Sequence, residues 1–239
     1  MGLACSRALG REGARLALCD VDVNALQSVA VGITGASAFG LDVRDARAIE
    51  TTIGAIETAV GDLDHLVIAS GIFQAGPLLE TPSEVWADLF AVNLFGSVAL
   101  LKAVGTRMRD RRKGSIVVIA SQSAKVVRIR QAAYGASKAA LTYAAKALGL
   151  ELATHGVRVN VVQPGVTDTP LARSVWQQGK GSGLAHVAGS LENYRAPIPL
   201  GKIGQPEDVA AAALFLLSDD AAHTTMAELV VDGGATFIA

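Results

Sequence analysis

Tyr134 and Lys138 stand four residues apart in AAYGASKAAL, a spacing that puts both on one face of a helix. A phenol titrates near pH 10 in water, so at neutral pH it serves as a base only where nearby positive charge favours the phenolate. A lysine one turn away supplies such a charge. Tyrosine and lysine at this spacing recur by chance in many helices, so further groups must converge on them. Ser121 closes the apolar run SIVVIA, placing a hydroxyl at the C-terminal end of a buried strand, where the ligand crevice of a parallel sheet opens. Asn93 lies inside FAVNLFG, a helical context for which asparagine has poor propensity. Together the four are a far stronger signal than the tyrosine–lysine pair alone.

The elements that hold them follow from the pattern of the remaining chain. Short apolar runs, RLALC, SAFGL, DHLVIA, SIVVIA, VRVNVV and ELVVD, alternate with longer helical stretches, the form of repeated strand–helix–strand units. Most are apolar throughout, as expected of central strands covered by helices on both faces. Thr81-Pro82-Ser83-Glu84 predicts a capped helix start, and Gln205-Pro206-Glu207-Asp208 another. Residues 171–200, polar and rich in glycine around WQQGKGSGLAHVAGS, read as a mobile lid or disordered loop. One α/β domain spanning residues 1–239 is expected, a Rossmann-like, doubly wound parallel sheet flanked by helices.

Composition narrows the function. Of 239 residues 51% are apolar, and the net charge is −1, so no global basic field attracts nucleic acid or an anionic membrane. The basic run Arg107–Gly114 is expected to solvate a helix C-terminus. Cys5 and Cys19 have no metal-ligand or disulfide pattern around them, and the four histidines lack partners at ligand spacing; a cytoplasmic protein without a metal is expected.

With the four residues and the strand pattern in view, the chain resembles the short-chain dehydrogenase/reductase family over essentially its whole length. The resemblance implies a catalytic tetrad of Asn93, Ser121, Tyr134 and Lys138. It also implies a nicotinamide cofactor: Asp20 for the adenosine ribose, hence NAD, Asp42 and Val43 for adenine, and Thr169 for the carboxamide, with Gly71, Tyr134 and Lys138 also at the cofactor. Asn93 is implied to hold a water linking Lys138 to solvent. One departure is Ile68-Ala69-Ser70-Gly71, where the family usually has Asn-Asn-Ala-Gly and only the glycine survives. A homotetramer is implied as well.

The opening MGLACS fits an acylation pattern, yet GLACSRALGREGA resembles the family's first helix, with Gly2 as the last glycine of its phosphate-binding turn. Leu3, Ala4, Ala8 and Leu9 are then its buried face. On this reading the fold is N-terminally truncated, lacking a central strand and most of the turn. Either the sheet closes across the gap, or the start lies within a longer product. Unpaired peptide groups on two buried strand edges would each cost about 1–3 kcal/mol.

Within the family, stretches such as GVTDTPLARSVW and VVDGGATFIA resemble dehydrogenases that oxidise a cyclic dihydrodiol acid to a catechol acid for siderophores. Such an anionic substrate needs a cation; Arg128 is the choice over Arg130, with Ser121 and Tyr134 at the reacting oxygen. Trp176, Tyr194 and Arg195 are candidate lid residues. The alternatives are another alcohol or ketone substrate, such as a 3-oxoacyl thioester, or a truncated assembly module without catalysis.

Overall fold

The computed structural model describes residues 1–178 and 183–236. Parallel strands alternate with helices, each strand within one or two residues of an expected run. They are β1 Leu16–Asp20, β2 Ala36–Gly40, β3 His65–Ile68, β4 Gly114–Ile119, β5 Val157–Pro164 and β6 Glu228–Val231. β1 and β2 form a two-stranded sheet, while β3, β4, β5 and β6 pair in that order in a second sheet, all in parallel. Among the described residues the sheet therefore does not close between β1 and β3. The expectation that most strands are central is corrected: among the described residues only β4 and β5 are paired along both edges. Their side chains are accordingly the most buried, with Ile116, Val117, Val118, Val159, Val161 and Val162 all at 0% exposure.

The helices are α1 Gly2–Arg11, α2 Val23–Val31, α3 Ala46–Val60, α4 Ser83–Phe90, α5 Ser97–Arg111, α6 Ala132–Ala153, α7 Pro170–Gln178, α8 Gly183–Val187 and α9 Pro206–Leu217. On one side Ile49, Ile53 and Ile56 of α3 join Leu101, Val104 and Met108 of α5 and Leu141 of α6 against the four-stranded sheet. On the other, α1 packs on α9 through Ala4, Cys5 and Ala8 against Val209, Ala213 and Leu216. Leu3 is exposed, so Cys5 takes the place expected for it on the buried face. A third, smaller cluster of Leu16, Leu18, Leu26 and Ile33 holds β1 and β2.

Local chemistry sets the helix ends. Asp22 and Asp45 accept backbone N–H bonds at the starts of α2 and α3. At α9 the Asp208 carboxylate accepts the Gln205 N–H at 2.7 Å, as expected of that motif. Thr81 does not cap α4; its hydroxyl donates back to the Pro77 carbonyl at 2.7 Å, and Pro82 occupies the capping position. The basic run after α5 does more than solvate a helix end. Arg107 pairs with Glu57 and Glu50 of α3, Arg111 with Asp62, and Lys113 with Asp64, stitching α5 to the segment before β3.

Residues 83–111 form one continuous helical run, long and apolar enough by composition to cross a bilayer, with half of its most apolar window buried in the protein. Its middle, Ala91–Gly96, is a π-helical turn. The expected lid is not irregular where it is described: α7 and α8 occupy much of it, and Ser190 and Arg195 bridge in antiparallel fashion. Residues 179–182 of that segment, and 237–239 of the closing motif, lie outside the described residues.

Candidate active site

The π turn explains Asn93. A wide turn redirects a side chain that a regular helix would send elsewhere, and such turns concentrate at functional sites. Asn93 is fully buried, and its amide faces the loop after β3: Oδ1 accepts the Ile72 N–H at 2.8 Å and Nδ2 donates to the Ile72 carbonyl at 3.0 Å. Nδ2 also donates to Ser137 Oγ at 3.0 Å, and that hydroxyl donates to the Tyr134 carbonyl at 2.7 Å. Asn93 thus ties the β3 loop to the first turn of α6.

Lys138, one turn further along α6, is 3% exposed and donates to the Ile119 carbonyl at the end of β4 at 3.2 Å. Burial lowers its pKa to about 8, since an ammonium is costly in a dry interior. A Cβ on Gly71 would stand 3.2 Å from both Lys138 Nζ and Asn93 Oδ1, so Gly71 is the surviving member of its motif for a steric reason. The lost asparagine is replaced by apolar packing, because Ile68 is buried in the main core. Ser70 adds a buried hydroxyl without a hydrogen-bond partner among the described residues.

Ser121 follows β4 and accepts the Ser123 N–H at 3.1 Å, which fixes its rotamer. Tyr134 packs edge-on against Phe73 with ring centroids 4.8 Å apart. Burial pushes the phenol above its ordinary pKa, and a hydrogen bond with Ser121 works against that rise. The pair is therefore poised to share one proton with an oxygen placed between them. A cavity of about 280 Å³ opens beside Tyr134, lined by Tyr134, Lys138, Ser70, Gly71, Met1 and Thr169 among others, with Ile119 and Ala120, the two residues before Ser121, also in its wall.

The cofactor residues divide into two groups. Gly71, Thr169, Tyr134 and Lys138 meet at this cavity, and Gly2, in the first turn of α1, sits against Ala69. Thr169 is buried, its Oγ1 accepting the Ala172 N–H at 3.1 Å. Asp20, Asp42 and Val43 lie at the C-terminal ends of β1 and β2, apart from the cavity. Asp20 is not a helix cap, a role taken by Asp22; its carboxylate accepts only a local N–H from Asp22 among the described residues. Asp42 is clasped by Arg44, whose guanidinium holds its pKa at about 2. Val43 meets the Asn93 helix closely: a Cβ on Gly96 would come within 2.6 Å of the Val43 carbonyl. These residues fit a nicotinamide dinucleotide lying from the β1–β2 end to the cavity, with a small-residue floor at Gly71 and an unpartnered Ser70 hydroxyl in its wall.

Around the substrate side, Arg128 and Arg130 separate. Arg130 is exposed with a left-handed backbone, and its carbonyl accepts the Gly76 N–H at 2.9 Å. Arg128 has a buried Nη2 without a partner among the described residues, and burial and the neighbouring Arg195 lower its pKa. Of the lid candidates, Trp176 packs on His186, Arg195 meets His186 Nδ1 at 2.6 Å, and Tyr194 is 86% exposed. Sequence reading missed Ser137, Ser70 and Gly96. Glycine within the helical stretch FAVNLFG was the signal available for the last.

A tyrosine, a serine and a buried lysine meet at the C-terminal edge of a parallel sheet, as expected of an alcohol/carbonyl oxidoreductase, and the chain belongs to the short-chain dehydrogenase/reductase family. The model described as enoyl-(acyl carrier protein) reductase, a branch of that family, matches residues 1–236. The chain is 40% identical over 240 residues to the Bacillus subtilis (strain 168) protein named 2,3-dihydro-2,3-dihydroxybenzoate dehydrogenase, covering 99% of this chain and 92% of the relative. It is 42% identical over 196 residues to an Escherichia coli (strain K12) protein of the same name, covering 82% of this chain and 79% of the relative. Among solved structures, one titled short chain dehydrogenase/reductase family protein superposes with a TM-score of 0.85 at 31% identity, covering 99% of this chain and 93% of that one.

Proposed function

We propose that this dehydrogenase oxidises 2,3-dihydro-2,3-dihydroxybenzoate to 2,3-dihydroxybenzoate with NAD, as a cytoplasmic step of catechol siderophore biosynthesis. The observation that carries this reading is the unpartnered, buried guanidinium nitrogen of Arg128 on the loop joining Ser121 to Tyr134, in a chain about as similar to two relatives bearing that name. A carboxylate on the substrate ring would satisfy it.

A bound nicotinamide supplies the acceptor for the hydride leaving the alcohol carbon. Ser121 donates its hydrogen bond to the substrate oxygen and holds it against Tyr134. Tyr134 takes the hydroxyl proton as the C–H bond breaks, so one proton and one hydride leave and a ketone forms. Lys138 stabilises the phenolate by its charge and passes the proton onward past Asn93. The ketone then loses a ring proton to solvent and gains one at its oxygen, a tautomerisation that yields the catechol, and aromatisation draws the reaction forward. Asp20 favours NAD, because its carboxylate accepts ribose hydroxyls and repels a 2′-phosphate. Trp176 and Tyr194, of the expected lid, cover the ring. Exposed apolar side chains, Phe95 at 64% in the π turn and Tyr143 at 79% and Leu150 at 66% on α6, support burial of the Asn93 and Tyr134 helices in a homotetramer. No nucleic acid or membrane partner enters this reading.

Calorimetric titration with NAD and NADP, followed by cofactor reduction with the dihydrodiol acid, tests it. Turnover with NAD that exceeds turnover of a 3-oxoacyl thioester with reduced cofactor by at least about 100-fold is expected; the reverse preference would move the chain to the reductase alternative, and binding without turnover of either to the assembly role.

A further inference from the structure

The carboxylate of Glu228 lies behind the active site, on the first residue of β6, with its side chain only 14% exposed. Three elements converge on it. Oε1 accepts Lys146 Nζ of α6 at 2.6 Å; Oε2 accepts Gln163 Nε2 of β5 at 2.9 Å and faces Lys125 Nζ at 3.3 Å. Lys125 closes the short turn Gln122–Ala124 that begins at Ser121, its N–H donating to the Gln122 carbonyl at 3.0 Å. Lys146 lies two turns along α6 from Lys138 and three from Tyr134. One carboxylate therefore joins the Ser121 turn to the Tyr134–Lys138 helix, by a route separate from the Tyr134–Ser121 hydrogen bond at the front.

We propose that Glu228 is a positioning residue that sets the spacing of Ser121 against Tyr134 by clamping Lys125 and Lys146. The reason is geometric. Lys125 ends a turn held by short-range hydrogen bonds, Ser123 N–H to Ser121 Oγ, Ala124 N–H to the Ser121 carbonyl and Lys125 N–H to the Gln122 carbonyl, and by one link to the start of α6, Ser123 Oγ donating to Gln131 Oε1 at 2.9 Å. That link holds the Ser123 side of the turn; without an anion opposite it, the Lys125 side has freedom to shift while β4 stays fixed. Burial alone would raise the Glu228 pKa, but the hydrogen bonds from Lys146 and Lys125 outweigh it and hold the group below the ordinary glutamate range. The Glu228 carboxylate stays ionised at any pH where Tyr134 could act as a base. Removing the carboxylate leaves two ammonium groups facing each other across the junction, which drives the turn and the helix apart.

The role rests on the assigned proton-transfer roles of Ser121 and Tyr134, and its test has one readout that does not. Glu228→Ala, Glu228→Gln and Lys125→Met are compared with the parent chain by hydrogen exchange of residues 121–131 and by steady-state kinetics. Exchange at least about 10-fold faster in that segment, with β4 and β5 unchanged, is expected for Glu228→Ala, and a smaller increase for Lys125→Met, which removes only a partly exposed group. In turnover, Glu228→Ala lowers kcat about 10-fold with KM for cofactor within about twofold, and Glu228→Ala combined with Lys125→Met is no worse than Glu228→Ala alone. Unchanged exchange at 121–131 in folded Lys125→Met and Glu228→Gln overturns the proposal whatever the kinetics show. A parent chain without dihydrodiol turnover would sink the proposed function, while the exchange data would still decide the clamp.

Discussion

The two ends of the molecule are built to different standards. Around β4 and β5 the side chains expected to move the proton are held by their neighbours: Asn93 by Ile72 and Ser137, Lys138 by Ile119, Ser121 by its own turn. Around β1 and β2, Asp20 and Asp42 are exposed, bonded to near neighbours in sequence, and carried on a separate two-stranded sheet over a small apolar cluster. Proton transfer, the role proposed for the first set, tolerates little error in distance and would be anchored in the densest part of the core. Grip on an adenosine, the role proposed for Asp20 and Asp42, would require only that a strand edge present its acceptors to solvent.

If that contrast is right, the largest effects belong to the catalytic end. Tyr134→Phe should lower kcat by about 10³-fold, as removal of a proton-transfer group does, while melting temperature stays close to that of the parent. A thermal melt beside the rate assay separates the two. Lys138→Met should lower turnover about 10²-fold and yet stabilise the protein. The parent lysine titrates near 8 when folded and near 10.5 when unfolded, so folding is penalised fully below pH 8 and progressively less as pH rises to 10.5. The variant should therefore gain up to about 3 kcal/mol in urea unfolding at pH 7, with the gain gone by pH 10.5. A variant less stable at pH 7 would show that Lys138 is paid for by contacts other than those seen.

Ser121→Ala should cost about 10-fold and move the acidic limb of the kcat/KM profile to higher pH, because the hydrogen bond that lowers the Tyr134 pKa is gone. A limb that stays in place would detach the serine from the phenol. The smallest effect on turnover is expected at the other end. Leu18→Ala, in the β1–β2 cluster, should speed amide exchange of β1 and β2 by about 10-fold or more while kcat at saturating cofactor changes by less than about twofold. Equal loosening of β4 would show that the two ends fold as one unit and dissolve the comparison.

The sequence carried the dense end well. The β4 and β5 runs are apolar throughout because both faces are covered, and that same pattern located Ser121 at a strand end. Asn93 was conspicuous because it violates helix propensity, and the π turn is the structural counterpart of that violation. What escaped notice depends on contacts between residues far apart in the chain. Ser137 is an ordinary helix residue until Asn93 is brought to it, and Gly71 is steric only in the presence of Lys138. The capping role read for Thr81 failed because its hydroxyl found the Pro77 carbonyl first. Leu3 was misplaced because α1 presents Cys5 to α9.

The wide turn at Ala91–Gly96 can also be counted in residues. A π turn spends one residue more than an α-helical path needs to cover the same rise. Deleting a single residue there would leave an unbroken helix between Ser83 and Arg111, so the protein would lose no element of its architecture. The flanks would keep their register, because the wide turn had absorbed the extra residue; only the side chains within the turn, Asn93 among them, would be re-aimed. Single-residue deletions are tolerated where the chain has slack; here the slack is what aims Asn93, and a length change invisible to helix content would be read directly in catalysis.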